Sequence, residues 1–202
     1  MKSVYPALIV AALLATGCAS SGSQSESSWW NPFAKVSWSS LSPFNWFGSS
    51  LQVTEQGVGG LNGSTALNAS AIDNGLKGHY TLRQGMRTSN GDVVSFWQAL
   101  DDGKVKLVIN GKSTVSSVEV MDEAVTSSDG SKIGNKFSDR YSKAFGACEK
   151  AAGSDSSAVE CKAPGSQHIS YLYSGEWHGP EDLMPSDDTL KSWTLSKIIW
   201  RS

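Results

Sequence analysis

Three histidines, His79, His168 and His178, are the side chains best suited to hold a metal or move a proton. His168 and His178 stand ten residues apart in HISYLYSGEWH, across one strand-like run, and neither HxH nor HExxH spacing occurs. That spacing makes them surface or satisfied histidines and implies no metal site. Serine is abundant, but no GxSxG elbow is present; the nearest string, GSQHIS, lacks the second glycine. A serine–histidine–aspartate triad needs no adjacency in sequence, so spacing alone does not close that reading. Carboxylates adjoin at Asp101-Asp102, Glu181-Asp182 and Asp187-Asp188. Each pair falls in a turn or at a helix start, where aspartate bonds the local backbone and suits the helix dipole. Turn chemistry accounts for them. No residue is singled out as catalytic, and no cofactor is implied.

The cysteines carry clearer chemistry. Leu14-Ala15-Thr16-Gly17-Cys18 puts a thiol directly after two small residues. The string resembles the lipobox of bacterial lipoproteins, in which small residues admit a signal peptidase and the thiol accepts diacylglycerol. Ala15 stands where leucine is commoner. Upstream, Lys2 supplies a positive start and Val4 to Ala15 an apolar run. At about 1.5 Å per residue those twelve residues span roughly 18 Å, short of a hydrocarbon core of about 30 Å. The run therefore reads as an export signal, residues 1–17, and no other stretch is long and apolar enough to span. The rival reading is an ordinary signal peptide with an incidental cysteine. Each buried CH₂ contributes about 0.8 kcal/mol, so the three acyl chains expected by analogy at Cys18 would anchor the protein effectively permanently. Ala19 replaces the aspartate that retains lipoproteins at the inner membrane. By that rule the destination is the periplasmic face of the outer membrane.

Cys148 and Cys161 remain as a pair in an oxidising compartment. A bridge between them would close a loop of about 14 residues, for which loop entropy predicts about 3 kcal/mol. The enclosed EKAAGSDSSAVE is polar and flexible by composition. A metal or redox pair is the alternative, but there is no CxxC spacing and no histidine within the segment. The structural disulfide is the better reading.

Cleavage after Gly17 removes Lys2 and leaves sixteen Lys and Arg against nineteen Asp and Glu, a net charge of −3. Such a surface gives no electrostatic reason to expect nucleic acid or polyanionic headgroups as partners. Residues 18–50 read as a lipidated tether, serine-rich and hence flexible. Yet Trp29, Trp30, Trp38 and Trp46 are half of the eight tryptophans, and Phe33, Phe44 and Phe47 join them. A pure spacer needs no such load. Indole rings favour the bilayer interface, so Trp29, Trp30, Phe33, Trp38 and Trp46 are candidate contacts to membrane or to a partner beside it. Packing back onto the domain as a strap is the competing reading, favoured for Phe44, Trp46 and Phe47.

The elements that would position any site begin near Leu51, giving one domain over 51–202. LQVTEQ (51–56) alternates as a strand, and the glycine run 57–63 reads as a loop. Ser64 can cap a helix through Ala66, Leu67, Ala71, Ile72 and Leu76 that ends at Gly78. Strands are expected over 79–86, 93–100, 104–109 and 113–121, separated by Asn90-Gly91, Asp102-Gly103 and Asn110-Gly111. Such dipeptides supply the positive φ that two-residue hairpin turns require. FSDRYSKAF (137–145) reads as a helix capped by Ser138, with Phe137, Tyr141 and Phe145 on one face. SAVECKA and 168–177 are strand-like, Asp187 is expected to cap a short helix through Leu190 and Trp193, and 194–200 closes the domain as a strand. The expected class is α+β: a largely antiparallel sheet, in part a meander, with two or three short helices and one disulfide.

The strings EQGVG, NGDVV, KIGNKFSDRYSKAFGACEKA, AVECKAPGSQHISYLYSGEWHGPEDLMPSDDTLKSW and SKIIWRS together resemble one family. It is the RpoE (sigma-E)-regulated lipoprotein family of enterobacteria and relatives, the YfeY-like proteins. The likeness covers nearly the whole mature chain and is densest from about 130 to 201. It implies an envelope-stress-induced lipoprotein with an α+β domain, lipid on Cys18, and the later cysteines Cys148 and Cys161. It supplies no catalytic residue. The expected function is non-enzymatic binding of an unidentified envelope protein or component, with the membrane engaged through the N-terminal lipid. An envelope hydrolase acting on peptidoglycan or lipid is the alternative. A small-ligand binder would instead show a deep apolar pocket on the sheet.

Overall fold

The computed structural model describes residues 51–202, apart from Asn90 and Glu181. Its frame is an eight-stranded antiparallel sheet built from β3 (Thr81–Ser89), β4 (Asp92–Asp101), β5 (Lys104–Gly111), β6 (Val115–Val120), β8 (Cys148–Lys150), β9 (Val159–Lys162), β10 (Ile169–Ser174) and β11 (Thr194–Arg201). Their order in space is β3-β4-β5-β6-β11-β10-β9-β8. The first four strands are the expected meander, and β11 lies between β6 and β10. Three short strands form a second sheet: β1 (Gln52–Thr54) pairs antiparallel with β2 (Gly57–Val58) and parallel with β7 (Thr126–Ser127). Two α-helices, α1 (Ala69–Gly75) and α2 (Asp187–Leu190), complete the described chain. No helix among the described residues is long and apolar enough to cross a membrane.

Alternation divides the two faces of the large sheet. Leu107, Ile109, Val118, Val120, Ile198, Trp200, Tyr171 and Val159 point to one side and are almost wholly buried. Val53, Val58, Leu61, Ile72 and Leu76 from the small sheet and α1 pack into that same core, with Trp193 and Leu190 from the α2 region. Burying a side chain of this size contributes roughly 1.5–3 kcal/mol relative to exposure, so this layer holds the domain. Phe137 stacks on Tyr141 at 5.2 Å and meets Tyr173 edge-on at 5.3 Å.

Several local expectations are corrected. Asn68, not Ser64, caps α1: its side chain accepts the Ala71 N–H at 2.9 Å. Ser64 lies instead in a turn closed by Asn62, and Ala66 bridges to Thr114, which holds it outside any helix. Asp102-Gly103 is the expected turn, with φ of 47° and 75°. Asn110 and Gly111 belong to β5, where the register to β6 slips. A Cβ on Gly111 would stand 1.9 Å from the Thr114 carbonyl oxygen, so the glycine serves a close approach of backbones rather than a hairpin turn. Gly57 and Val58, expected in a loop, pair with β1. The run 137–145 is no helix. Only Phe137–Asp139 turns, as one 3-10 turn after Lys136, and Phe145 is 90% exposed. The Phe137 N–H goes to the Trp193 carbonyl and the Ala144 N–H to Asp187, so tertiary bonds replace helical ones. Asp187 is thereby used elsewhere, and Ser186 caps α2 through the Thr189 N–H.

Cys148 and Cys161 are directly paired across β8 and β9 and are disulfide-bonded. Cys18 and the aromatic residues Trp29, Trp30, Phe33, Trp38 and Trp46 lie outside the described residues, as does the whole of 1–50.

Candidate functional site

The face of the large sheet turned away from the main core carries the polar half of each alternation. One row across it runs Arg83, Gln98, Val108, Glu119, Ile199, Ser170, Lys162, each paired in register with the next. A neighbouring row runs Gly85, Phe96, Asn110, Ser117, Arg201. The β8–β9 loop folds over part of this face, and Ala151 and Ala158 cover Leu172 and Ile199 in a small second core. Asp155 of that loop reaches Lys197 at 2.7 Å, while Glu119 holds the same ammonium at 3.1 Å. Burial opposes charge on Lys197, but these two carboxylates outweigh it and hold its pKa above the ordinary lysine value.

Over the β8–β9–β10 end of the sheet lies an open hollow of about 700 Å³, lined in part by Glu149, Glu160, Lys162, His168, Ser170 and Arg201. A second hollow of about 460 Å³ meets it at Glu160 and Arg201 and extends to Arg87 and Thr88 of β3. The two form one groove across the sheet. At its midpoint the Arg201 guanidinium grips both oxygens of Glu160, and Ser170 joins the cluster, accepting from Arg201 at 2.7 Å and donating to Glu160. Burial pushes the Glu160 carboxyl up. Bonds from Arg201 and Ser170, with the Arg201 charge, more than reverse that and hold it below the usual carboxylate range. A forked guanidinium–carboxylate pair is both strong and geometrically fixed. His168 is fixed too: its Nδ1 donates to the Arg201 carbonyl at 2.7 Å, because a carbonyl oxygen only accepts.

The structure does not unite the sequence candidates. His168 lines the groove, His178 lines a different pocket, and His79 is exposed. Among the described residues no group of three or more His, Cys, Asp and Glu is placed to hold a metal. Asp101-Asp102 sits at the β4–β5 turn and Asp187-Asp188 opens α2; Glu181 is not described. Cys148 borders the groove through its strand. Sequence reasoning missed Glu160, Ser170 and Arg201. The signal was partly there, because V-E-C-K over 159–162 alternates and sends Glu160 and Lys162 away from the core. Its partner Arg201 stands 41 residues away, and no spacing rule joins them.

Residues 35–202 match the family described as "Protein of unknown function (DUF1131)". The chain belongs to that family. It is 53% identical over 202 residues to "Uncharacterized protein YfeY" of Escherichia coli (strain K12), covering 100% of both chains. It is also similar to a solved structure, "Crystal structure of the uncharacterized protein yfeY from Escherichia coli". There the TM-score is 0.70 at 57% identity, covering 75% of this chain and 99% of that one. The YfeY-like family drawn from the sequence strings is thus shown, as a family of unknown function.

Proposed function

We propose that this member of the family is an envelope-stress-associated lipoprotein, held by lipid on Cys18 to the periplasmic face of the outer membrane. Its domain binds another envelope component along the groove and performs no chemistry of its own. The observation that carries the binding half is the Arg201–Glu160–Ser170 cluster at the groove's midpoint. A carboxylate held ionised by a bidentate guanidinium is a poor proton donor at neutral pH, and a guanidinium already forked is not free to clamp a reacting group. A rigid row of fixed donors and acceptors suits recognition. The anchor half is supported by the LATGC string with its apolar leader. On this reading Trp29, Trp30, Phe33, Trp38 and Trp46 lie against the headgroups or a partner near them.

Two measurements test the two halves. Intact mass and membrane fractionation of wild type beside Cys18→Ala read the anchor. A lipid-sized mass increment and outer-membrane location, both lost in the variant, are expected; an unlipidated, soluble wild type overturns it. For the groove, a photo-crosslinking residue replaces Lys162 in the full-length protein in its membranes, with one at the β4–β5 turn position Asp102 as control. A defined adduct from position 162, absent from 102 and lost with Arg201→Ala, is expected. Equal adducts at both positions, or none at 162, overturn the binding reading.

A further inference from the structure

A second pocket, separate from the groove, lies where the loop after β10 passes the β8–β9 connection. Its volume is about 360 Å³, room for a molecule of dipeptide size, and it is lined by Lys150, Ser156, Ser157, Trp177, His178 and Asp182, with Gly175 and Gly179. The indole of Trp177 folds back along its own loop, its N–H donating to the Pro180 carbonyl at 3.0 Å. The ring lies so close over Gly179 that a Cβ there would stand 2.1 Å from it. Trp193 occupies the corresponding space over Gly175. The loop therefore has glycine where it passes each ring, and the Trp177 ring forms a fixed wall.

Lys150 is the unusual member. Its partner across the strands is Val159, so the side chain leaves β8 on the core side. The ammonium nitrogen is buried and has no hydrogen-bond partner among the described residues. Withdrawing an ammonium from water without an acceptor is costly, and no described residue hydrogen-bonds it. Its four-carbon stem is flexible, so an anionic group entering the pocket would convert an unpaired charge into a paired one. Asp182 lines the same pocket and would oppose a ligand carrying negative charge alone, while the indole face and Asp182 together suit a cation. We propose that this pocket binds a small zwitterion, a free amino acid or a dipeptide. The carboxylate goes to Lys150, the ammonium to Asp182 and Trp177, and the Ser156 and Ser157 hydroxyls are at hand for its remaining polar atoms.

The test titrates the full mature protein with alanylalanine, its N-acetyl form, its C-terminal amide and inorganic phosphate. The readout is the indole N–H resonance of Trp177, assigned with Trp177→Phe. Alanylalanine is expected to shift that resonance, and each blocked form to bind at least tenfold more weakly. Lys150→Met is expected to abolish the shift while raising the melting temperature, since it keeps the stem and removes an unpaired buried charge. A lysine with a purely structural role would give the opposite change in stability. No shift with alanylalanine, a shift of equal affinity with phosphate, or an unchanged shift in Lys150→Met overturns the proposal.

Discussion

The Tyr171 hydroxyl donates to the Asp129 carboxylate at 2.8 Å, joining β10 to the turn after β7 across 42 residues of sequence. The same phenol bonds the Ser127 hydroxyl at 3.0 Å, and Arg140 closes on Asp129 at 3.2 Å while donating to Ser131. Tyr171, Ser127 and Ser131 are all buried. The small sheet is pinned to the large one through this knot. Tyr171→Phe removes one hydroxyl and leaves the Asp129 carboxylate and the Ser127 hydroxyl each short of a partner. The expected loss is about 1–3 kcal/mol, read from the urea midpoint; a loss within error of zero would show that the knot is not structural.

Acid should weaken the fold through two carboxylates. Burial raises the pKa of both Asp129 and Glu160, but bonds from Ser131 and Tyr171 with the Arg140 charge, and from Arg201 and Ser170, reverse it, so both sit below the usual range. A depressed carboxyl contributes stability that is fully present above its unfolded pKa of roughly 4. That stability is lost as pH falls through the lower folded value. Asp129→Asn and Glu160→Gln should each lower stability at neutral pH and flatten its fall below about pH 4. Melting temperatures taken across that range check it; an acid limb as steep as wild type in both variants would contradict the assignment.

The disulfide should contribute by shortening the unfolded chain. Cys148 and Cys161 are 13 apart in sequence, and a loop of that length corresponds to about 3 kcal/mol. The double variant Cys148→Ala with Cys161→Ala should unfold at lower urea by that amount. A difference under about 1 kcal/mol would mean that the bridge constrains the unfolded state poorly or that it costs in the native state what it gains.

Two glycines separate flexible from rigid obstruction. At Gly85 a Cβ would meet the Phe96 ring at 2.5 Å, and at Gly111 the Thr114 carbonyl oxygen at 1.9 Å. A ring can swing, although Arg87 lies over Phe96 at 5.5 Å and would move with it; the backbone of Thr114, bridged to Ala66 and followed at once by β6, cannot. Within the roughly 1–3 kcal/mol typical of overpacking, Gly111→Ala should fall at or beyond the upper end and Gly85→Ala near the lower. Comparable losses at both would refute the distinction.

The meander was legible because each of its strands alternates and Asp102-Gly103 allows the positive φ a tight turn demands. Local signals failed where tertiary partners outbid them. Phe137, Tyr141 and Phe145 have helical spacing, yet the Trp193 carbonyl and the Asp187 carboxylate take the N–H groups at 137 and 144, and Phe145 is left in solvent. Ser64 and Asp187 are both good caps by type, but Asn68 and Ser186 stand where the helices begin. β8 is three residues long and is a strand only because β9 lies beside it. The groove was the least legible feature. Its ionic cluster joins residues 160, 170 and 201, and its Lys197 bridges 119 and 155, pairings set by strand order and by a folded-over loop rather than by any local pattern.

That strand order has a temporal consequence. β11 supplies both the inner edge for β6 and the inner edge for β10, although it follows every other strand in the chain. A polypeptide emerging N-terminus first, through Trp193, holds two half-sheets that share no hydrogen-bonded seam, each with an open flank. Residues 194–201 act as a keystone whose arrival permits closure. Until then the two halves cannot join, and closure of the large sheet waits on the last strand of the chain.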